Sequence, residues 1–268
     1  MEFDAHKEHI ISGVYVGTYT ATKLPLTLYS ATSKALKKAT EKGYKHILAD
    51  FAFDSPDYAM LKELQESVYL FSGAKTFQNT LEMSEALVSD GKVLSFSEFK
   101  DVAGKIFDRY NKDWLKAEYN TAISSARSAA KWTSIEANKD QRPYLMYDAV
   151  DEVACKICKP LHGIILPVND PFWKRNGIPQ HFNCMCVIHQ YDGNELKDYK
   201  LKLSDKDYVD KQMVESQKDK DPLFNFNPGK DKVIFKDTGK NKHPYFEVSE
   251  KYREFASRNF DLPIPKNN

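Results

Sequence analysis

All four cysteines of this chain fall inside one short stretch, as Cys155-Lys-Ile-Cys158 and Cys184-Met-Cys186. Two close pairs separated by a loop of about 25 residues can converge on one tetrahedral ion, each pair supplying two thiolates from a tight turn. The two-residue gap between Cys155 and Cys158 suits such a turn. The one-residue gap between Cys184 and Cys186 is less usual, but in extended backbone residues i and i+2 point the same way, so both sulfurs can still reach the ion. The expectation is a structural Zn²⁺ held by Cys155, Cys158, Cys184 and Cys186. His162 and His181 flank the pairs, and each is an alternate for one thiolate; His189 lies just beyond. Reduced free thiols packed in a loop-rich region, and disulfides, are the other states these residues allow.

The segment around the cysteines needs such a tie. From Arg142 onward, Pro143, Pro160, Gly163, Pro167, Pro171, Gly177 and Pro179 exclude continuous helix. The segment carries few large aliphatic side chains, so burial alone does not order it. Structural zinc in small peptides supplies on the order of 10 kcal/mol, part of it used in folding. Phe172, Trp173 and Phe182 are expected to form a small lid over the ion. Short strands are expected at 146–150, 162–167 and 186–191.

Composition limits the rest. The chain has 268 residues, 41% hydrophobic and 13% aromatic, so a core can form and disorder is excluded. Its 39 basic and 38 acidic residues nearly cancel, which argues against a bulk electrostatic grip on nucleic acid. The start, Met1-Glu-Phe-Asp-Ala-His-Lys-Glu, does not read as a secretory signal, and no apolar run approaches the roughly 20 residues of a membrane span. The chain is therefore expected in a reducing cytosol, where cysteine pairs are more often ligands than disulfides.

The N-terminal half reads as helical. Thr32 to Lys42 is a helix that Gly43 is expected to end as a C′ glycine. Residues 45–53 are ambiguous between a strand and a buried turn. Pro56 fits a first-turn proline, with a helix through Leu61, Leu64, Val68 and Leu70. Ser95 and Glu98 make a capping box, and Leu94 with Phe99 a hydrophobic staple. Apolar residues then recur at spacings of three and four, from Phe99, Val102, Ile106, Phe107, Tyr110 and Trp114 to Trp132. Unbroken to Asn138, that helix would be roughly 60 Å long, so a break near Asn111–Asp113 or a hairpin partner is expected. The small residues Ala122, Ser125, Ala126, Ser128 and Ala129 would let another helix approach closely.

After Gln190 the chain is rich in lysine and aspartate. Residues 195–217 read as a solvated helix or a linker, 227–230 as a turn, 232–235 as a short strand and 252–260 as a helix, with an extended tail from Leu262. Lysines at 197–220 and 230–242 alternate with acids, which favours a solvated surface over phosphate contact. The fold class expected is α+β, mainly α: an N-terminal helical region with a long helix, then a small loop-rich cysteine module with short strands, then a mixed tail. The corresponding division is 1–140, 141–191 and 192–268.

A catalytic zinc would need an open position and a base, for which Asp151, Glu152, Asp170 and His181 are candidates. A four-thiolate site is closed. A Cys184–His181 nucleophile pair can be drawn, but any chain holding both residues permits it. No Gly-rich phosphate loop and no G-x-S-x-G elbow is present. No catalytic residue is assigned.

The stretch from Tyr147 through Cys155, Cys158 and His162 to Gly163, with Asp170-Pro-Phe-Trp173, Ile178-Pro-Gln-His181-Phe-Asn-Cys184 and Met185-Cys186, resembles the signature of the phage Mu F-like head-morphogenesis (minor capsid) family. Tyr110 to Asn120, Ala129 to Trp132, Asn225 to Lys230 and His243 to Phe246 extend the likeness to roughly residues 70–260. Met185 stands where the family has arginine, so any role of that arginine is lost, and Ile178-Pro179 stands where it has a double proline. The resemblance implies a minor structural protein of a tailed phage or prophage. It would be made in the host bacterial cytoplasm and housed in the virion. It would associate with portal or major capsid protein at the portal or capsid interior, and contact DNA non-specifically or be ejected with it. Some family members carry C-terminal toxin domains, which makes a metal-dependent nuclease or toxin-like effector the alternative. The stretch after Asp192 is short for such a domain.

Overall fold

A computed structural model of the chain describes residues 2–150 and 155–265. The chain is mainly helical with small sheets, as expected, and the cysteines lie in its loop-rich later part.

The helical part begins with α1 (Glu2–Tyr15), whose Phe3, Ile10, Ile11 and Val14 are buried. α2 spans Leu26–Tyr44 and α3 spans Pro56–Glu85. The Ser55 hydroxyl accepts the Tyr58 N–H at 3.1 Å, so α3 starts at the first-turn proline as expected and runs well beyond Leu70. Residues 48–50 form a 3₁₀ turn, with no strand and no buried residue. Gly43 does not end α2: Lys45 takes the left-handed conformation instead (φ 68°). A Cβ on Gly43 would lie 2.2 Å from the Ile123 carbonyl oxygen, so this glycine is where a later helix comes close.

A hairpin of β1 (Val88–Ser89) and β2 (Lys92–Val93) precedes α4 (Phe96–Asp108). The capping box is present: the Glu98 carboxylate accepts the Ser95 N–H at 2.9 Å and the Ser95 hydroxyl accepts the Glu98 N–H. The expected break lies at 109–114, where Arg109–Trp114 is π-helical before α5 (Leu115–Asn138) resumes. Lys75 reaches that wide turn and donates to the Tyr110 carbonyl at 2.6 Å and to Glu118 at 2.5 Å. Tyr245 donates to the other Glu118 oxygen at 2.9 Å. Both charges are buried. Val102 and Trp114 fall off the buried stripe and are 40% exposed.

The three expected strands form one antiparallel sheet, β3 (Tyr144–Asp148), β4 (Ile165–Pro167) and β5 (Val187–Tyr191), in the order β4-β3-β5. Short helices are α6 (Phe172–Arg175), between β4 and β5, and after the sheet α7 (Gly193–Asp198), α8 (Lys206–Gln217), α9 (Pro228–Asp231) and α10 (Arg253–Ser257). Residues 232–235 are not a strand. The N–H groups of Ile234 and Phe235 donate to the Ser67 hydroxyl, and Phe235 stacks on Phe71 with ring centres 3.8 Å apart. Phe260 stacks on Phe77, and the Tyr29 hydroxyl donates to the Pro263 carbonyl. The C-terminal stretch is thus a strap across α2 and α3.

Two buried clusters result. One joins α1 to α5 with Ile234, Phe235, Tyr245, Phe255, Phe260 and Leu262. The other joins Trp132 and Ile135 of α5 to the sheet, Trp173, Val209 and the buried cysteines.

Candidate metal centre

Two turns carry the donors. In the first, the Cys155 carbonyl accepts the N–H groups of Cys158 (3.1 Å) and Lys159 (2.9 Å). In the second, the His181 carbonyl accepts the Cys184 N–H at 3.2 Å. Both pairs, Cys155/Cys158 and His181/Cys184, therefore bracket the same kind of four-residue turn. Helices fix both turns. Ser216 on α8 donates to the Ile157 carbonyl at 2.7 Å. Ser124 on α5 donates to the Cys184 carbonyl at 3.1 Å, and Asn120 donates to the Asn183 side chain at 2.9 Å.

The turns meet at Cys158. Cys155, Cys158 and His181 place one donor atom each within 4.8 Å of one another, and so do Cys158, Cys184 and Cys186. The sulfurs of Cys158 and Cys184 are 3.9 Å apart. Cys158 and Cys184 are buried, Cys155 and Cys186 half-buried, and none is in a disulfide. A cavity of about 60 Å³ opens among Cys155, Cys158, His181 and Cys186, of a size for an ion rather than a polymer substrate.

Crowded sulfurs cannot all ionise without a compensating cation. Hydrogen bonds from Cys158 and Cys186, with His181 beside it, hold Cys184 far below the usual thiol range. Contacts with Cys184 and Cys186, with burial, push Cys158 far above it. Contact with Cys184 raises His181 to about 9. His181 Nδ1 faces the Phe182 carbonyl at 2.7 Å, which fixes that nitrogen as the donor and leaves Nε2 as the one that could face a metal. Softness of the sulfurs, one imidazole and this charge deficit fit a zinc ion.

The other expected residues lie elsewhere. His162 Nδ1 accepts the Ala149 N–H at 3.2 Å and lies 3.3 Å from Asp148; it joins neither donor group. His189 lies 2.9 Å from the same carboxylate. Asp170 accepts the Phe172 N–H at 2.8 Å. Asp151 and Glu152 lie outside the described residues. Phe172 and Trp173 are buried in the core that holds Cys158, whereas Phe182 turns out against Phe224, so the three form no common lid. Two neighbours were not foreseen. Tyr147 is fully buried with its hydroxyl 3.8 Å from the Cys158 sulfur; its inward position follows from strand alternation with Leu145. Lys220 is buried, donates to the Arg175 carbonyl at 3.1 Å, and is lowered to about 7 by burial. No local pattern marks it among the surface lysines.

This donor cluster sits inside a segment with known kin: residues 74–189 match the family described as Phage Mu protein F like protein. Over that segment the chain is similar to the phage Mu F-like family. The Mu F-like segment starts within α3 and ends in β5, taking in all four cysteines and His181. That likeness supports a phage head-morphogenesis protein. No curated protein and no solved structure matches the chain. Among the described residues, no helix is long and apolar enough to cross a membrane.

Proposed function

We propose that this chain is a minor structural protein of a tailed-phage head, and that its Mu F-like segment is ordered by one structural zinc ion. The ligands are Cys155, Cys158, His181 and Cys184. His181 replaces Cys186 in the set because of proximity. His181 is close to Cys155 and Cys158 and touches Cys184. Cys186 is grouped with Cys158 and Cys184 but not with Cys155. Cys186 then backs the site beside Tyr147. Such a site is closed, and the ion's part is to tie α5 and α8 through the two turns.

The observation that carries the reading is that the two donor turns converge within a Mu F-like segment. The protein would act in the virion, at the portal or capsid interior, and DNA contact would be non-specific. Complementation tests it. A phage lacking this chain, supplied with wild type, should form particles containing it. Supplied with Cys158→Ser, it should form few or none, and normal particle yield with the serine variant contradicts the reading. Metal-dependent nuclease activity that disappears in His181→Ala would replace it with an enzymatic one.

A further inference from the structure

β5 is an edge strand. Tyr147 pairs its backbone toward the β4 side, donating to the Ile164 carbonyl at 2.9 Å and accepting the Gly163 N–H at 2.8 Å. Backbone direction alternates along a strand, so Tyr144, Met146 and Asp148 face β5, and their partners Tyr191, His189 and Val187 face back. Ile188 and Gln190 therefore turn their N–H and C=O away from β3. The Gln190 carbonyl is capped by the Arg142 guanidinium at 2.6 Å. Among the described residues, nothing pairs with the N–H and C=O of Ile188.

A groove of about 280 Å³ runs along this edge. One wall is a stripe of α5 with Arg127, Lys131, Trp132 and Ile135; the other is Cys186 to His189. Side chains alternate between the faces of a strand, so four successive residues line one groove where it follows the strand's edge. Arg127 and Lys131 are exposed, and neither makes an ion pair among the described residues. No described carboxylate lines the groove. Its α5 wall, from Ser124 to Ile135, is about 17 Å long at 1.5 Å per residue, room for about five residues of strand.

We propose that this edge receives an extended, acidic segment of another protein as a fourth strand. The incoming backbone pairs with Ile188, an apolar side chain rests against the half-exposed Val187, and a carboxylate meets Arg127 and Lys131. The two cations also set identical copies against each other, which disfavours self-pairing at the edge. The groove takes such a strand whether or not the cysteines hold an ion and whatever particle the chain joins.

The test uses the full chain and a blocked hexapeptide alternating valine and glutamate. Binding is read from tryptophan fluorescence, with Trp132→Phe as reference, and from exchange of the Ile188 amide. The expected result is saturable binding with slowed Ile188 exchange. Arg127→Glu/Lys131→Glu should weaken it about tenfold, and a peptide N-methylated on the pairing edge should not bind. Equal binding of a valine–lysine peptide, equal binding of the N-methylated peptide, unchanged Ile188 exchange, or no binding at millimolar peptide overturns the proposal. So does a dimer of the free chain that the double variant dissolves, because a second copy would then fill the edge.

Discussion

One helix, α5, serves two cores that solve the problem of buried polarity in different ways. Its Ala122, Ala126 and Ala129 pack into the helical core, and its Trp132 and Ile135 into the core of the cysteine region. The helical core encloses a Lys75–Glu118 pair, and the two charges cancel in place. The cysteine region encloses crowded sulfurs, Cys158 and Cys184 3.9 Å apart, that cannot all ionise without a cation between them. The first arrangement is complete as it stands. The second could hold a cation, and this difference is why the proposed metal belongs to one core and not the other.

The largest expected effect separates the cores directly. Cys158 belongs to both donor groups, so Cys158→Ser or a strong zinc chelator should release the turns. Apparent zinc stabilisation of such sites is on the order of 10 kcal/mol. Hydrogen exchange should quicken in β3, β4 and β5 while α2 and α3 stay protected; uniform loss across both regions would erase the distinction. Next, Lys75→Met should cost about 3–5 kcal/mol, because it leaves Glu118 as an unpaired buried charge. Lys75→Met with Glu118→Leu should recover most of that in urea denaturation. If the double variant is no better than the single, the pair is not self-compensating.

A smaller effect concerns pH. Burial lowers His243 from the usual 6.5 to about 3, with Lys75 adding to the effect. The folded chain therefore binds fewer protons than the unfolded chain between those values. Stability should fall as pH drops from about 6.5 toward 3, by at most about 1.4 kcal/mol per pH unit from this group. His243→Gln should flatten that limb, and an unchanged slope refutes the assignment. Smallest, Ser95→Ala should cost about 1 kcal/mol through loss of the α4 cap, leaving the cysteine region's exchange untouched; a change there would mean the two cores unfold as one.

What could be read from the chain was whatever short-range chemistry decides. The Ser95–Glu98 box spans three residues, and the strand pattern around Tyr147 and Ile188 is simple alternation. The cysteine pairs show in their spacing alone. What escaped depended on partners far away in the chain. Gly43 resembled a helix end, but its meaning lies in Ile123 across the helix contact. Residues 232–235 resembled a strand, but Ser67 takes the N–H groups that a strand would spend on a neighbour. His181 and His162 are equal by position; only the fold brings one to Cys158 and leaves the other beside Asp148.

The most direct test of the two-core account is metal analysis of the purified full chain, wild type beside Cys158→Ser and Cys186→Ser. The account predicts about one zinc ion per wild-type chain, lost in Cys158→Ser and kept in Cys186→Ser. Wild-type protein free of metal with four titratable thiols, or zinc retained in Cys158→Ser, would contradict it.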